Sequence, residues 1–512
     1  MAGVLLGIDI GTSGSKVTAI DEGGRLLAEG FGEIHTAHPH VGWSEQDPDE
    51  WYAVVREILH DLWARAEFKP SDIAAISLDG STHNAVLADD AFTPLRPAIM
   101  WTDQRSAEEA AWLAETAGEK IFATAYQMPT PTWTLPQLLW VKKHDPKAFE
   151  RTRHILFTKD YVRFRLTDTW ETDCIEAQGS LLYDMKAGAW SAELCDLIGL
   201  PVEALPPLVK PTHVAGHVTP QAAAQTGLVA GTPVVTGCSD SAIEDYAAGA
   251  VEPGQCAVKL ATAGNVNVMT AEAHPHPRTL TYSHVIPGLW YTVSATNSAA
   301  VCQRWFRDAF CEEEKRRAGE TQENVYALMD RCAAESPIGA KGLLFHPYLQ
   351  GERSPYWDPN LRGSFTGLTM RHTKADFIRA LMEGVALSLR DCRRTIDEMG
   401  LPIDEVRLIG GGARSRVWSR MVCDVFGAPL VCPAGCDASF GSALLAGVGI
   451  GLFPDERSAV EQCVKAETQL DPDPDAVRAY DRLFDIYRQI HDALENVYRD
   501  VAHVEKQKEQ KS

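Results

Sequence analysis

The N-terminal stretch constrains the fold of this chain more than any other. The apolar run Leu5–Ile10 enters the turn Gly11–Gly14, and a second alternating run that includes Lys16 leaves it. Period-two alternation on both sides of a short glycine-containing turn predicts a β-hairpin. Glycine at both ends of the turn predicts positive φ angles and a close approach of the main chain to a ligand.

The residues of this turn carry the donors and acceptors that a magnesium–phosphate group requires. Thr12 and Ser13 supply hydroxyl and N–H donors, Lys16 supplies a cation, and Asp9 supplies oxygen for a metal. The turn is not a P-loop, because the spacing of a G-x-x-x-x-G-K-[ST] run is absent. It therefore predicts a phosphate site with Asp9 as the Mg²⁺ ligand, and the alternative is an ordinary hairpin whose glycines serve packing.

Length and composition limit the class of protein. A chain of 512 residues predicts about two to four domains. A formal charge of −22 argues against nucleic acid as a partner, because phosphate backbones are bound by a surplus of Lys and Arg. The uncharged stretch Pro211–Ser239 is broken by Pro, Gly, Gln and His, so we expect no membrane span. Twelve cysteines without C-x-x-C pairs and no signal peptide predict a cytoplasmic protein with reduced thiols.

The middle of the chain repeats the pattern of its start. A strand ends at Asp240 and is followed by a helix, and then a second strand–turn–strand carries Thr262-Ala263-Gly264, an echo of Thr12-Ser13-Gly14. Two copies in the same hairpin context predict a duplicated domain. Gly and Pro between Gly249 and Gln255 mark the boundary. We expect domains at 1–250 and 251–455, with a helical tail at 456–512.

Polar turns also follow other predicted strands. Ile73–Leu78 leads into Asp79–Asn84, and a strand ending near Trp101 leads into Asp103. Polar side chains at strand ends are common at α/β ligand sites, although plain turns are the alternative. Later, Gly410–Gly412 lies between a strand and a helix that begins near Ser415, so a flat ring or a phosphate can lie against bare backbone there.

These landmarks together resemble the FGGY carbohydrate kinases over nearly the whole chain. Gly363–Leu368 followed by Asp376–Glu383 is similar to the C-terminal signature of that family, departing at Leu381. Thr134–His144 resembles the second signature, with Gln137 where lysine is usual. Gly42–Pro48 and Leu138–Pro146 resemble members that phosphorylate D-xylulose.

The resemblance implies an α/β, actin-like ATPase (ribonuclease H-like) fold with two duplicated domains, mixed five-stranded sheets and ATP in the cleft between them. It implies ATP and Mg²⁺ as cofactors, a sugar bound in the N-terminal half, and no nucleic acid or membrane partner; a homodimer is left open. The roles that it implies are Mg²⁺ binding by Asp9, phosphate contacts by Thr12, Ser13, Lys16, Thr262 and Gly264, adenosine contacts by Gly411, Gly412 and Ser415, and sugar contacts by Thr82, His83, Trp101, Asp103 and Asp240.

Asp240 is the expected catalytic base, at a strand end before a helix. Glu244 and Asp245 are alternatives, which a helix starting near Ser241 is expected to carry away from the strand end. Thr82 stands where methionine is usual in the xylulose-phosphorylating members, so the sugar is less determined than the reaction. The alternatives are a kinase for another ketopentose, polyol or sugar acid, such as ribulose, L-xylulose, gluconate or glycerol, and a nucleotide-gated binding protein of the same fold.

Overall fold

The computed structural model describes residues 3–509, in which strands and helices alternate along most of the chain. The strands are β1 (Val4–Ile10), β2 (Gly14–Ile20), β3 (Leu26–Glu33), β4 (Glu45–Gln46), β5 (Ile73–Gly80), β6 (Ala85–Ala88), β7 (Ala98–Ile99), β8 (His154–Phe157), β9 (Thr172–Asp173), β10 (Tyr183–Asp184), β11 (Ala189–Trp190), β12 (Leu208–Val209), β13 (Val214–His217), β14 (Pro233–Ser239), β15 (Gln255–Leu260), β16 (Gly264–Thr270), β17 (Leu280–Ser283), β18 (Trp290–Thr296), β19 (Leu344–His346), β20 (Ser364–Thr366), β21 (Glu405–Ile409), β22 (Leu430–Pro433) and β23 (Ala466–Leu470).

The helices match several sequence-based predictions closely, including those over Thr134–His144 and Lys374–Glu398. They are α1 (Pro48–Arg65), α2 (Ala107–Ala125), α3 (Thr134–His144), α4 (Pro146–Arg151), α5 (Thr158–Thr167), α6 (Cys174–Gln178), α7 (Ala192–Asp196), α8 (Pro220–Thr226), α9 (Asp240–Ala247), α10 (Ala300–Phe310), α11 (Glu312–Thr321), α12 (Val325–Ala334), α13 (Lys374–Glu398), α14 (Arg416–Phe426), α15 (Ala438–Gly449), α16 (Glu456–Cys463) and α17 (Pro474–Glu509).

The N-terminal hairpin forms as predicted, and its turn has an unexpected backbone. β1 and β2 pair antiparallel, with Asp9 opposite Lys16. Neither Gly11 nor Gly14 has a positive φ, so that expectation was wrong. Glycine at position 14 serves packing instead, because an added Cβ would lie 2.5 Å from the carbonyl oxygen of Gly32 and from the ring of Phe31. The turn is therefore held tightly against β3.

Two mixed sheets repeat one strand order. The first runs β3-β2-β1-β5-β14-β13 and the second β17-β18-β16-β15-β21-β22-β23, so that β3-β2-β1-β5-β14 corresponds to β18-β16-β15-β21-β22. In each, a central strand pairs antiparallel with the next strand of the chain and parallel with a later one, as β1 does with β2 and β5, and β15 with β16 and β21. Five strands of each sheet thus correspond, which agrees with the expected duplication. Additional edge strands, β13 in one sheet and β17 and β23 in the other, make six and seven strands instead of five.

Helix α15 comes from the second half of the chain and packs on the first sheet. Gly7 permits this contact, because a Cβ there would lie 1.8 Å from the carbonyl oxygen of Ser439. The hydroxyls of Ser439 and Thr18 are 2.6 Å apart, and Ser442 donates to Asp79 at 2.6 Å. Because of this packing, a single hydrophobic core includes residues from both halves, such as Leu5 and Ala446.

The segment 456–512, predicted as a helical tail, contains α16, the edge strand β23 and α17. β23 pairs antiparallel with β22, and α17 buries Tyr480 and Tyr487 in the second hydrophobic core. Residues 510–512 lie outside the described part of the chain. The domain boundaries at 250 and 455 stay predictions.

No helix within residues 3–509 combines the length and the apolar character needed to cross a bilayer. All twelve cysteines carry free thiols.

Candidate active site

Trp101 connects the turn Gly11–Gly14, which is predicted to bind phosphate, with the polar turn after β5, which is predicted to contact the sugar. Its indole Nε1 donates to the Thr12 hydroxyl at 2.9 Å, and its backbone N–H donates to Asn84 Oδ1 at 2.6 Å. Asn84 is fixed in turn by donating to the Ser81 carbonyl at 2.9 Å. The polar turn after β5 therefore holds an indole against the hydroxyl of the glycine turn. Ser13 is exposed and Thr82 partly exposed at these two turns.

Asp9 and Asp79 stand side by side on neighbouring strands. They are partners in the parallel register of β1 and β5. Burial, together with the nearby Asp240 carboxylate, raises the pKa of Asp9 to about 8. Burial and the Asp9 carboxylate raise the pKa of Asp79 well above its usual value. The Oδ1 atom of Asp79 is buried and has no hydrogen-bond partner among the described residues.

Asp240 is the first residue of α9, directly after β14, and it is partly exposed. Its Oδ1 accepts from the N–H of Ser241 at 2.7 Å. Burial and the Glu244 carboxylate raise its pKa to about 7. A carboxylate with this pKa is a much better proton acceptor near neutral pH than an ordinary aspartate.

The two alternative bases differ in their surroundings. Glu244 was expected to point away from the strand end, but it lies one helical turn after Asp240 and therefore on the same face of α9. Lys259 Nζ is 2.6 and 2.7 Å from its two carboxylate oxygens. Asp245 is fully buried and accepts two hydrogen bonds from Asn267, at 2.9 and 3.1 Å. Within residues 3–509, Asp240 is the one of the three acids whose carboxylate accepts no hydrogen bond from a side chain.

Lys259 is a cation near the reacting groups that sequence reasoning missed. Burial lowers its pKa, but the Glu244, Asp240 and Asp9 carboxylates outweigh burial and raise it. The signal was present in the sequence: Lys259 precedes Thr262 by three residues, as Asp9 precedes Thr12. The duplicated hairpins thus place a carboxylate in one half and an ammonium in the other at corresponding positions.

The carboxylates fit a divalent cation that arrives with phosphates. Three acids at this site have raised pKa values, so added positive charge would stabilise their ionised forms. Among the described residues no group of three or more His, Cys, Asp or Glu is preformed as a metal cage. Mg²⁺ does not require one, because it usually keeps several waters and binds one or two carboxylates together with substrate phosphates.

A cleft of about 500 Å³ brings four of the predicted nucleotide residues together. Thr262, Gly411, Gly412 and Ser415 line it, and Ser415 also caps α14 by accepting from the N–H of Trp418 at 3.0 Å. The opposite wall, which the sequence did not indicate, comes from α10 and α12; its residues include Gln303, Arg304, Tyr326 and Asp330.

Gly264 does not fit its predicted phosphate role. It begins β16 and is buried, and an added Cβ there would lie 2.8 Å from Leu389 Cδ2. Glycine at this position serves packing, as at Gly14. The resemblance between the two Thr-x-Gly turns therefore reflects their shared hairpin geometry.

His83 is a buried member of the predicted sugar wall, by which we mean the five expected sugar contacts Thr82, His83, Trp101, Asp103 and Asp240. Its backbone has φ +52°, and its N–H donates to Glu176 Oε1 at 2.8 Å. The imidazole packs against Trp133 with centroids 4.7 Å apart, and burial lowers its pKa to about 3. It is therefore neutral at ordinary pH. Within residues 3–509 its buried Nδ1 lacks a hydrogen-bond partner.

Asp103 is occupied by protein groups. It is fully buried and accepts from the backbone N–H groups of Ser44 and Arg105, at 2.5 and 2.8 Å, and from two guanidinium nitrogens of Arg105, at 2.9 and 2.7 Å. Four donors saturate a carboxylate, so this geometry does not favour the predicted sugar contact. Arg105 also pairs with Glu45 at 2.6 Å and stacks on Trp43. These contacts hold the segment around Trp43 and Glu45 against Asp103.

Lys16, predicted to contact phosphate, is also paired within the protein. Its Nζ lies 2.6 Å from Asp437 and 2.7 Å from Glu29. Asp437 is the N-cap of α15, so Lys16 ties the first hairpin to the helix that packs on its sheet. Lys16 therefore contributes to packing. Lys259, which lies near the Asp240 and Asp9 carboxylates, is better placed than Lys16 for the predicted phosphate contact.

The fold and this site define a class: two α/β domains of the actin-like ATPase type with one Thr-x-Gly turn from each half, carboxylates near these turns and a nucleotide-sized cleft. Two family models match the chain, the N-terminal domain of the FGGY family of carbohydrate kinases at residues 4–244 and its C-terminal domain at 256–450. The chain belongs to the FGGY family of carbohydrate kinases, and it is a phosphotransferase with an alcohol group as acceptor.

Its relatives act on more than one sugar. The xylulose kinase of Staphylococcus epidermidis is 32% identical over 97% of this chain and 98% of its own. The crystal structure of xylulose kinase from Rhodospirillum rubrum has a TM-score of 0.85 and 31% identity, covering 97% of this chain and 99% of that one. The gluconate kinase structure from Lactobacillus acidophilus has a TM-score of 0.88 and 25% identity, covering 98% and 100%. Fold similarity alone therefore does not select the sugar.

Proposed function

We propose that the chain transfers the γ-phosphoryl group of ATP to D-xylulose, giving D-xylulose 5-phosphate and ADP. The observation that carries the proposal is the placement of Asp240, partly exposed at the end of β14, beside Asp9 and with a pKa of about 7. The choice of sugar is supported by relatives named xylulose kinase at 32% identity and by His83, whose neutral imidazole offers no cation to a sugar acid.

In the proposed reaction, the oxygen of the sugar hydroxyl forms a bond to the γ-phosphorus of ATP. Asp240 accepts the proton that this hydroxyl loses. The bond from that phosphorus to the bridging oxygen breaks, and ADP leaves. A loose transition state puts little demand on the strength of the base, so a carboxylate suffices. The backbone and hydroxyl donors of Thr12 and Thr262 approach the phosphates from the two halves, and Lys259 offsets part of the negative charge.

Mg²⁺ is the metal that Asp9 and Asp79 would hold, and when bound it would neutralise phosphate charge. Asp9→Asn is expected to raise the Mg²⁺ concentration needed for half-maximal activity by about tenfold, because a neutral amide is a poorer ligand for a hard cation. Titrating activity against Mg²⁺ at fixed ATP measures this. Asp90→Asn, at a carboxylate whose side chain is 89% exposed, is the matched control. An unchanged Mg²⁺ requirement in Asp9→Asn would remove Asp9 from this role.

The kinase proposal itself is tested by ADP release from purified protein with a panel of sugars. We expect ADP formation that depends on both Mg²⁺ and sugar, with D-xylulose among the best acceptors. The panel contains pentuloses, polyols, hexoses and aldonates, and mass spectrometry identifies the phosphorylated product. Lack of stimulation by every sugar would contradict the proposal.

A kinase for another ketopentose, a polyol or a sugar acid is the second candidate. The gluconate kinase structure with a TM-score of 0.88 favours it. Cytoplasmic location and a homodimer also stay predictions, which cell fractionation and light scattering would test.

A further inference from the structure

We infer that Tyr282, on the edge strand β17 of the second sheet, contacts the sugar and reads one of its hydroxyl groups. The inference rests on the proposed function, because it takes Asp240 and His83 to face the sugar. It differs from the sequence-based expectation, in which the N-terminal half alone supplies the sugar contacts.

Strand β17 is fastened to the first half of the chain on both sides of Tyr282. Gln127 Nε2 donates to the carbonyl of Thr281 at 2.7 Å, and the N–H of Ser283 donates to Gln178 Oε1 at 2.9 Å. Both glutamines are buried. Two buried amides that bind the residues before and after Tyr282 fix its backbone relative to the first half.

Tyr282 lies between the His83 side of the site and the Asp240 side. Its ring is 6.4 Å from that of Trp133, which packs against His83. On its other side it stacks on Tyr291, its partner in the antiparallel register, with centroids 5.4 Å apart.

Tyr291 continues this path to the proposed base. Its hydroxyl is 2.8 Å from that of Ser241, whose N–H donates to Asp240 Oδ1 at 2.7 Å. Burial and the carboxylates of Asp240 and Glu176 together raise the pKa of the Tyr282 phenol. The phenol therefore lies within electrostatic reach of the base and of the acid that binds the His83 backbone.

The Tyr282 side chain is largely buried, and its hydroxyl is unused by the part of the protein that the structure describes. The residue is only 9% exposed, and its hydroxyl takes no part in the hydrogen bonds formed within residues 3–509. A buried tyrosine normally finds a partner for its hydroxyl, because an unpaired polar group costs free energy. The Tyr282 side chain offers the face of its ring and a neutral hydroxyl that can donate or accept. This combination suits a sugar, in which a hydroxyl lies beside a C–H face.

Kinetics with Tyr282→Phe and deoxy-sugars test the inference. We expect the KM for the sugar to rise roughly fivefold to tenfold through loss of one hydrogen bond, with the KM for ATP unchanged. Single-deoxy analogues of the sugar give the sharper readout. The analogue that lacks the hydroxyl read by Tyr282 should lose kcat/KM with the wild type but show little further loss with Tyr282→Phe.

Tyr498→Phe is the matched control, because it removes a buried phenol bonded to Ser364 in the second half of the chain. It should leave every sugar ratio unchanged. If no analogue couples to Tyr282→Phe, the inference is overturned. The sugar used is whichever one the wild type phosphorylates best, so a preference for a sugar other than D-xylulose defeats the proposed substrate while Tyr282 is still tested.

Discussion

Asp240→Asn is expected to lower kcat by about a hundredfold or more, the scale of a general base, while the KM for ATP changes little. Asparagine keeps the shape of the side chain and can still accept from the N–H of Ser241, but it cannot take a proton from the sugar hydroxyl. Steady-state kinetics at saturating ATP measure the loss, and thermal melting establishes that the variant is folded.

The pH profile adds a readout that a merely structural role would not give. The pKa of Asp240 is raised to about 7, so its proton-accepting form is present above that pH and is lost as the pH falls through it. At saturating Mg²⁺ and ATP, we expect kcat/KM of the wild type for the sugar to fall on the acid side of a pH at or below about 7, because bound Mg²⁺ would lower the pKa of Asp240, and the residual activity of Asp240→Asn to lack this limb. Glu244→Gln should move the limb to lower pH, because it removes a carboxylate that raises the pKa of Asp240.

Asp245→Asn is the matched control on the same helix. Burial raises the pKa of Asp245 well above its usual value, and both of its carboxylate oxygens already accept from Asn267, so the substitution changes an acid that the protein itself occupies. We expect its turnover to stay within a few-fold of the wild type. Wild-type turnover in Asp240→Asn together with a large loss in Glu244→Gln or Asp245→Asn would move the base to one of those residues.

Local sequence signals predicted the elements that carry the site. Hairpin alternation gave β1 and β2, and helical periodicity gave α3 and α13, because these patterns depend on near neighbours in the chain. The same patterns predicted β15, which precedes Thr262, and β21, which precedes Gly411, Gly412 and Ser415; the parallel pairing of these two strands brings the four residues into one cleft.

Contacts between distant segments could not be predicted in this way. Lys16 pairs with Asp437, 421 positions away, and this depends on how α15 packs over Gly7. Asp9 and Asp79 become neighbours through a parallel register that no local pattern specifies. Asp103 is saturated by Ser44, 59 positions earlier, and by Arg105. Tyr282 reaches the sugar side because an edge hairpin of the second half is held by two glutamines of the first.

The charges around the sugar wall determine the second large expected effect, the preference among sugars. A sugar acid needs a cation for its carboxylate, and Arg105 is nearest in sequence to the wall. Its guanidinium is fully buried and already pairs with Asp103 and Glu45. Lys259 pairs with Glu244, and the pKa of about 3 keeps His83 neutral. Among the described residues that we place at the sugar, every cation is thus already paired.

We therefore expect D-xylulose to exceed gluconate and glycerol in kcat/KM by about a hundredfold or more. Gluconate would place its carboxylate near Asp240 and Glu176 without a compensating cation, and glycerol lacks hydroxyls that the wall can read, which leaves buried polar groups unpaired. Competition between sugars at sub-saturating concentrations measures the ratios of kcat/KM directly.

His83→Ala should narrow the preference for D-xylulose over the other sugars by raising the KM for D-xylulose while the KM for ATP stays constant. Because Thr82 departs from the pattern of the xylulose-phosphorylating members, D-ribulose and L-xylulose belong in the same competition. Faster phosphorylation of gluconate or glycerol than of any pentulose would refute the sugar assignment and leave the kinase activity intact.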